Sequence, residues 1–438
     1  MKNLVTCLVI TFVLTTQLCA QETSPKQLTM HLAVQQALKH SPDLEALRYA
    51  VQANKSFAHS EIAGYYPTLK LGCDISRENG EKQLASNTAI NTDQLIYSFS
   101  GPLQKYQQAK SRTAVSECDK AIKQNLVRFE TEKAFLSAWL IQEQKKSILA
   151  IKKSSSITFE RQKHKNTLAQ LDKNTWLKNI ERYGDQLEKI ENYQDDKQIT
   201  YKKLEFLMGE SIVVDHLALE STAKNRLQPL GTYYDYAFKL RPEIKRGSKL
   251  MDVEHWNFKL EQGQRLPIIT TNAEVGLIVT PDGESTLLPV TIPQIETPGV
   301  KGPINRGQGY WSVSVSLRWS LFDGLVNQYK AQQAHANKLK EMLAREGEML
   351  RIKGEVHEAY FTLSKVLKQR KTQKLRYMRQ HNEFKLAQQK FDLGRLSRTN
   401  FNETITSWQK AHFEWLDRNV TVAVAERNLM HACGYPEL

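Results

Sequence analysis

Long apolar runs are missing from this sequence. Past residue 20, no segment strings together the ~20 consecutive apolar residues that a helix needs to cross a bilayer. Cysteine is scarce too. Of five, Cys7 and Cys19 fall in the first twenty residues. The remaining Cys73, Cys118 and Cys433 are odd in number and include no CxxC, so no disulfide framework is expected. Signatures of catalysis are absent: there is no HExxH, no GxSxG, no Walker loop and no metal-spaced Cys/His set. Gly307-Gln308-Gly309 leads into a strand pattern rather than a helix, which excludes a phosphate cradle. The eleven histidines are scattered. Neither an enzyme, a cofactor nor a bound metal is expected. Between positions 103 and 167 the chain also has no proline and no glycine, so nothing there interrupts a helix.

What is present begins with an export signal over residues 1–20. Lys2 supplies the positive start and Leu4 to Leu14 an apolar run too short to span a bilayer, with a cleavage site after Ala20. Thr16-Gln17-Leu18 before Cys19 makes a poor lipoprotein box. The formal net charge is +14, with Lys and Arg spread along the chain rather than clustered. An exported chain argues against nucleic acid as the partner, and solvated helix faces are the favoured reading of the dispersed charge.

An internal repeat sets the organisation. Ala37 and Pro42 of ALKHSPDL recur 200 residues later as Ala237 and Pro242 of AFKLRPEI, and Pro67 recurs as Pro267. Further on the offset becomes 225: Gln107-Gln108-Ala109 matches Gln332-Gln333-Ala334, and Gly209 matches Gly434. The first copy, 21–209, reads as a helix over 29–63, strands over 67–76 and 88–97, a long helix over 102–167 and a helix over 172–208. A linker, 210–231, follows. The second copy, 232–438, reads as a helix over 233–262, strands over 268–279 and 310–322, a long helix over 326–392 and a helix over 396–433. Pro281, Pro289, Pro293, Pro298 and Pro303 mark a loop between those two strands without regular structure. Each long helix extends roughly 100 Å at 1.5 Å per residue. Val115, Ile122, Leu126, Phe129, Leu136 and Leu140 lie at coiled-coil spacing, as do Ile352, Val356, Leu363 and Val366.

The strand at 310–322 carries the most information. Trp311, Val313, Val315, Leu317, Trp319 and Leu321 alternate with Ser312, Ser314, Ser316, Arg318 and Ser320, so one face is apolar and the other small and polar. A half-buried strand of a soluble sandwich reads this way. So does a barrel strand with lipid outside and water inside, and Trp311 and Trp319 near the ends of the apolar row fit membrane-interface positions. Four strands cannot close a ring in lipid, where open edges leave backbone groups unpaired. Closed membrane barrels begin at about eight strands, so copies of the chain must share one.

AVQQALKHSPDL, GYYPTL before the first strand, and SLFDG after the fourth, all within a doubled chain, resemble the TolC family of outer-membrane efflux and secretion channels. The resemblance covers nearly the whole mature sequence. It implies an α+β membrane protein: a long antiparallel α-helical coiled-coil barrel plus four strands per protomer, contributing to a trimeric 12-stranded transmembrane β-barrel. It implies a homotrimer in the outer membrane of a Gram-negative-type bacterium, with helices in the periplasm, and Pro67 and Pro267 as strand-entry turns. It further implies a passive conduit that docks a periplasmic adaptor of an inner-membrane pump or ABC exporter. KFDLGRLSRTNF resembles the docking helix tip, giving Leu393, Gly394, Ser397 and Arg398, with Ala169 at the degenerate tip of copy one. Asn400 and Glu403 fall where such channels narrow their periplasmic entrance with acidic residues, so one expected carboxylate ring is neutral here. The competing reading is an exported trimeric coiled-coil scaffold or adhesin without a pore.

Overall fold

The computed structural model describes residues 28–76, 85–168, 172–211, 217–218, 227–279 and 308–435. The signal segment, Ala169, the proline-rich loop up to residue 307 and most of the linker lie outside the described residues.

Copy one runs β1 (Leu28–Thr29), α1 (Met30–His40), α2 (Pro42–Ile62), β2 (Thr68–Ser76), β3 (Ala85–Ser98), α3 (Pro102–Thr167) and α4 (Lys173–Met208). After β4 (Leu217–Ala218), copy two repeats the order as α5 (Leu230–Leu240), α6 (Pro242–Gly263), β5 (Ile268–Val279), β6 (Gln308–Arg318), α7 (Val326–Asp392) and α8 (Arg398–Ala432). No described helix is long and apolar enough to cross a membrane.

Three expectations differ from what is seen. The single helices expected over 29–63 and 233–262 are each broken one residue before a proline, at Ser41 and Arg241. Both residues are extended, with ψ 114° and 122°. Proline crowds the preceding residue out of helical backbone and offers no N–H to continue the ladder. The strand expected over 310–322 leaves the ladder after Arg318, because β5 begins at Ile268, the partner of Arg318. The linker contains a strand that no alternation announced: β4 pairs in parallel with β1, Leu28 opposite Leu217. The Gln142 amide completes that edge, accepting from the Leu217 N–H at 2.8 Å and donating to its carbonyl at 3.3 Å.

The chain forms two compact units, and each takes pieces from both copies. One comprises Met1–Glu45, Ile122–Arg241 and Arg351–Leu438. Its core packs Ala33 of α1 against Ala134, Phe135 and Ala138 of α3 and Leu204 and Met208 of α4, all buried, with Leu28 and Leu217. The alanines let backbones approach closely around the fully enclosed Phe135 ring. Here the repeat shows in three dimensions. Gly209, at φ 72°, ends α4 against His40, and Gly434, at φ 78°, lies against Arg241 after α8, so each copy's last helix closes on the proline break of the same copy. Only glycine enters this left-handed backbone freely, and a Cβ at Gly209 would sit 2.8 Å from His40.

The other unit comprises Ala46–Ala121 and Pro242–Leu350. It holds an antiparallel four-stranded sheet in the order β2-β3-β5-β6. Arg246 of α6 pairs with Asp119 of α3 at 2.5 Å, and Asn54 of α2 donates to Ser116 Oγ at 2.6 Å. Gly263 meets the backbone of Phe99 so closely that a Cβ would stand 2.7 Å from it, which fixes where α6 hands over to β5.

Candidate functional site

The sheet has two unlike faces. Register places Leu71, Ile90, Val275 and Trp311 in one row across all four strands, with Leu69, Thr92, Ala273 and Val313 in the next. Trp311, Val313, Val315 and Leu317 are 65–73 % exposed, and Leu69 and Leu71 each 75 %. An apolar surface of this kind, on one face of a sheet, demands a non-aqueous neighbour.

The opposite face is polar and internally bonded. Lys70 pairs with Asp93 at 3.2 Å, and Asn272 donates to the same carboxylate at 2.7 Å. Tyr310 donates its hydroxyl to Asn87 Oδ1 at 3.2 Å and shares a hydrogen bond with Glu274. These groups span all four strands and hold register across the β3–β5 junction between the two copies. Sequence reading missed Asp93, Asn272 and Glu274. Their signal is the set of polar residues on alternate positions, Asn87, Asn91 and Asp93, but Ala89 interrupts it and Thr88 and Thr92 on the apolar face of β3 blur it.

Trp311 and Trp319 are both exposed and are separated by most of the length of β6; the structure does not bring them together. Trp319 lies just past the ladder, with its indole N–H donated to the Arg265 carbonyl at 3.1 Å. Pro67 and Pro267 stand immediately before β2 and β5. Beside Trp319, the SLFDG stretch turns into α7 through Gly324 at φ 68° and Leu325 at φ 70°, while Asp323 accepts from the Asn327 N–H at 2.9 Å.

The second candidate site is the turn between α7 and α8. Gly394, at φ 70°, donates its N–H to the Phe391 carbonyl at 2.9 Å, and Arg395 donates to Lys390 at 2.8 Å. This is the paired closure that ends a helix with a left-handed glycine. Ser397 caps α8 by accepting from the Asn400 N–H at 3.3 Å. Leu393, Gly394, Ser397, Arg398, Asn400 and Glu403 are thus gathered on one turn and the first two turns of a helix. Leu393 is 68 % exposed, and Arg398, Asn400 and Glu403 also face solvent.

Stacked rings brace that turn. Phe391 and Phe401 lie 4.5 Å apart, Phe384 and Trp408 4.6 Å, and Tyr377 and Trp415 5.3 Å. His412 lies within this ladder, and burial pushes its imidazole below the usual range, with Glu143 of α3 opposing. In copy one only a shorter stack is described, Phe159 with Tyr183 at 4.1 Å and with Trp176 at 5.8 Å. There Asp172 caps α4 through the Asn174 N–H at 3.1 Å. No group of three His, Cys, Asp or Glu among the described residues could hold a metal.

Residues 241–435 match the family "Outer membrane efflux protein". No curated protein matches in sequence. Among solved structures, the channel-forming CusC superposes with a TM-score of 0.74 at 13 % identity, covering 93 % of this chain and 92 % of its own. The Campylobacter jejuni CmeC outer membrane channel gives 0.74 at 14 % identity, over 93 % and 85 %. The outer membrane protein VceC of Vibrio cholerae gives 0.71 at 12 % identity, over 93 % and 97 %. The chain therefore has the fold of the outer-membrane channels: antiparallel long helices, four strands and an internal repeat. Its second copy carries the sequence pattern of the outer membrane efflux proteins, in line with the resemblance read from the residues.

Proposed function

We propose that this chain is the outer-membrane channel of a tripartite efflux pump or type I secretion system, a passive conduit assembled as a homotrimer. The observation that carries the reading is the sheet. Among the described residues, β2 and β6 each keep one edge unpaired, one face is exposed and apolar, and the other carries a polar, hydrogen-bonded network. Unpaired edges in lipid cost several kcal/mol per group, so closure with further copies is required, and three copies supply twelve strands with a lumen. A second feature supports self-association. Phe361, Leu375 and Leu386 of α7 are 52–68 % exposed and spaced to share one stripe of the helix. Ile352, Val356, Leu363 and Val366 are buried on the other side.

The α7–α8 turn supports an adaptor-docking role. Leu393 and Arg398 are presented on a turn that Gly394 and Ser397 fix, and the ring stack behind it resists bending. The partners in this reading are a periplasmic adaptor and an inner-membrane pump or ABC exporter, with the helices in the periplasm. The test is extraction from outer-membrane fractions, heat-modifiable mobility on gels, and single-channel recording in planar bilayers. Discrete conductance steps from a heat-dissociable trimer are expected. A trimer without conductance establishes the scaffold reading instead.

A further inference from the structure

The two copies differ in how their paired helices close. With the 225-residue offset, Lys152 and Ile190 of copy one correspond to Tyr377 and Trp415 of copy two. In copy two those rings stack at 5.3 Å and fill the seam between α7 and α8. In copy one no ring stands at either place, and the seam between α3 and α4 holds a pocket of about 560 Å³. That volume lies within the range of small-molecule sites.

The walls of this pocket are chemically specific. The buried Ile190 of α4 and the half-buried Ile148 of α3 make an apolar floor, with the exposed Leu149 at its rim. Tyr193 and Tyr201 supply ring surface; burial raises both phenols above their usual range, so they add no negative charge. The Tyr193 hydroxyl is already committed to the Ile141 carbonyl at 3.1 Å. Around this floor stand Lys145, Lys152 and Lys197, with no carboxylate among the described residues of the lining. Lys202 pairs with Glu205 at 2.5 Å, whereas the Lys197 ammonium stands 5.6 Å over the Tyr201 ring. Lys145 and Lys152 have no ion-pair partner among the described residues. An apolar-walled groove edged by three lysines outside any ion pair among the described residues, with Glu205 committed to the fourth, Lys202, lowers the energy of one kind of guest, an anion carried on a hydrophobic body.

We infer that the α3–α4 seam of copy one binds an organic anion with a planar apolar body, such as an aromatic carboxylate or sulfonate, in the space that copy two fills with Tyr377 and Trp415. The floor and ring faces take the body of the guest, and Lys145, Lys152 and Lys197 take its charge. This site uses no residue of the sheet or of the α7–α8 turn and does not depend on conductance.

Equilibrium dialysis of the full chain in a non-ionic detergent, with 2-naphthoate as the probe, tests it. Binding of one equivalent per chain is expected, with 2-naphthamide, of the same shape but neutral, bound at least about ten-fold more weakly, the loss of one charge-assisted contact. Ile190→Trp should abolish binding by filling the floor. Lys197→Glu, a surface change that keeps the fold, should weaken it by a similar factor. Decanoate separates a planar guest from an acyl chain and should bind more weakly than naphthoate. Equal affinity for naphthoate and naphthamide, preference for decanoate, no saturable binding, or binding untouched by Lys197→Glu would each overturn the inference.

Discussion

Tyr310 covers Gly276 on the neighbouring strand. The two are register partners, and a Cβ at Gly276 would stand 2.5 Å from the Tyr310 ring. The glycine makes room for an aromatic ring, whose hydroxyl reaches Glu274 on the same neighbouring strand and Asn87 one strand further on. An aromatic laid over a strand glycine compensates for its missing side chain. Gly276→Ala should therefore destabilise the sheet by about 1–3 kcal/mol through overpacking. Thermal unfolding should show a lowered midpoint, and Tyr310→Ala in the same chain should recover part of the loss. Strictly additive effects would mean the two do not interact.

Charge should be tolerated on one face of β6 and not on the other. Val315 and Ser314 are neighbours pointing oppositely. Val315→Lys should cost about 2–4 kcal/mol at mid-membrane and reduce the assembled outer-membrane form. Ser314→Lys should assemble normally and shift ion selectivity toward anions in reversal-potential measurements. The same outcome for both substitutions would contradict the assignment of faces.

Protonation should loosen the ring ladder behind the α7–α8 turn. The His412 imidazole lies below its ordinary value of about 6.5, burial being the main cause, Glu143 opposing and His381 adding to it. Its folded pKa is lower than its unfolded one, so between the two values the unfolded chain binds more protons. Stability is therefore full above about pH 6.5 and falls as pH drops below it. His255 of α6, lowered by burial, Lys338 and Lys259, adds in the same direction. His412→Phe keeps a ring in the ladder and should flatten part of the melting-midpoint curve between about pH 7 and 5. An unchanged curve would remove His412 from the account.

Glu403 and Asn400 are close together at the start of α8, both exposed. If Glu403 forms a carboxylate ring across three copies, divalent cations should block the channel from the periplasmic side, and Glu403→Gln should relieve the block. Asn400→Asp should deepen it. Equal sensitivity in all three channels would exclude Glu403 from the conduction path.

Much of the helical part was legible because its cause is local. From Pro102 to Thr167 no residue can break a helix, and Pro102 suits the first helical turn, so sequence and structure agree on the bounds. Gly394 and Ser397 announced the α7–α8 turn for the same reason: left-handed backbone and a capping oxygen are properties of those residues themselves. The breaks at Ser41 and Arg241 were local too, since proline follows each, but the apolar pattern running through them obscured the signal. The β1–β4 pairing had no local cause. Leu217 joins Leu28 where the core buries both side chains and Gln142, on another element, supplies the bonds that finish the edge.

The sequence by itself determined the doubling, the strand and helix periods, and the two-sidedness of β6, since each follows from which side chains recur at which interval. Tertiary structure decided what no interval encodes. Asp93 meets Lys70 and Asn272 on three strands, and the division into compact units cuts across both copies. One helix seam is filled by rings while its counterpart stays open. Spacing fixes the direction in which a side chain points along its own element. What it meets there depends on the volume and charge contributed by residues distant in the chain, and only packing brings those together.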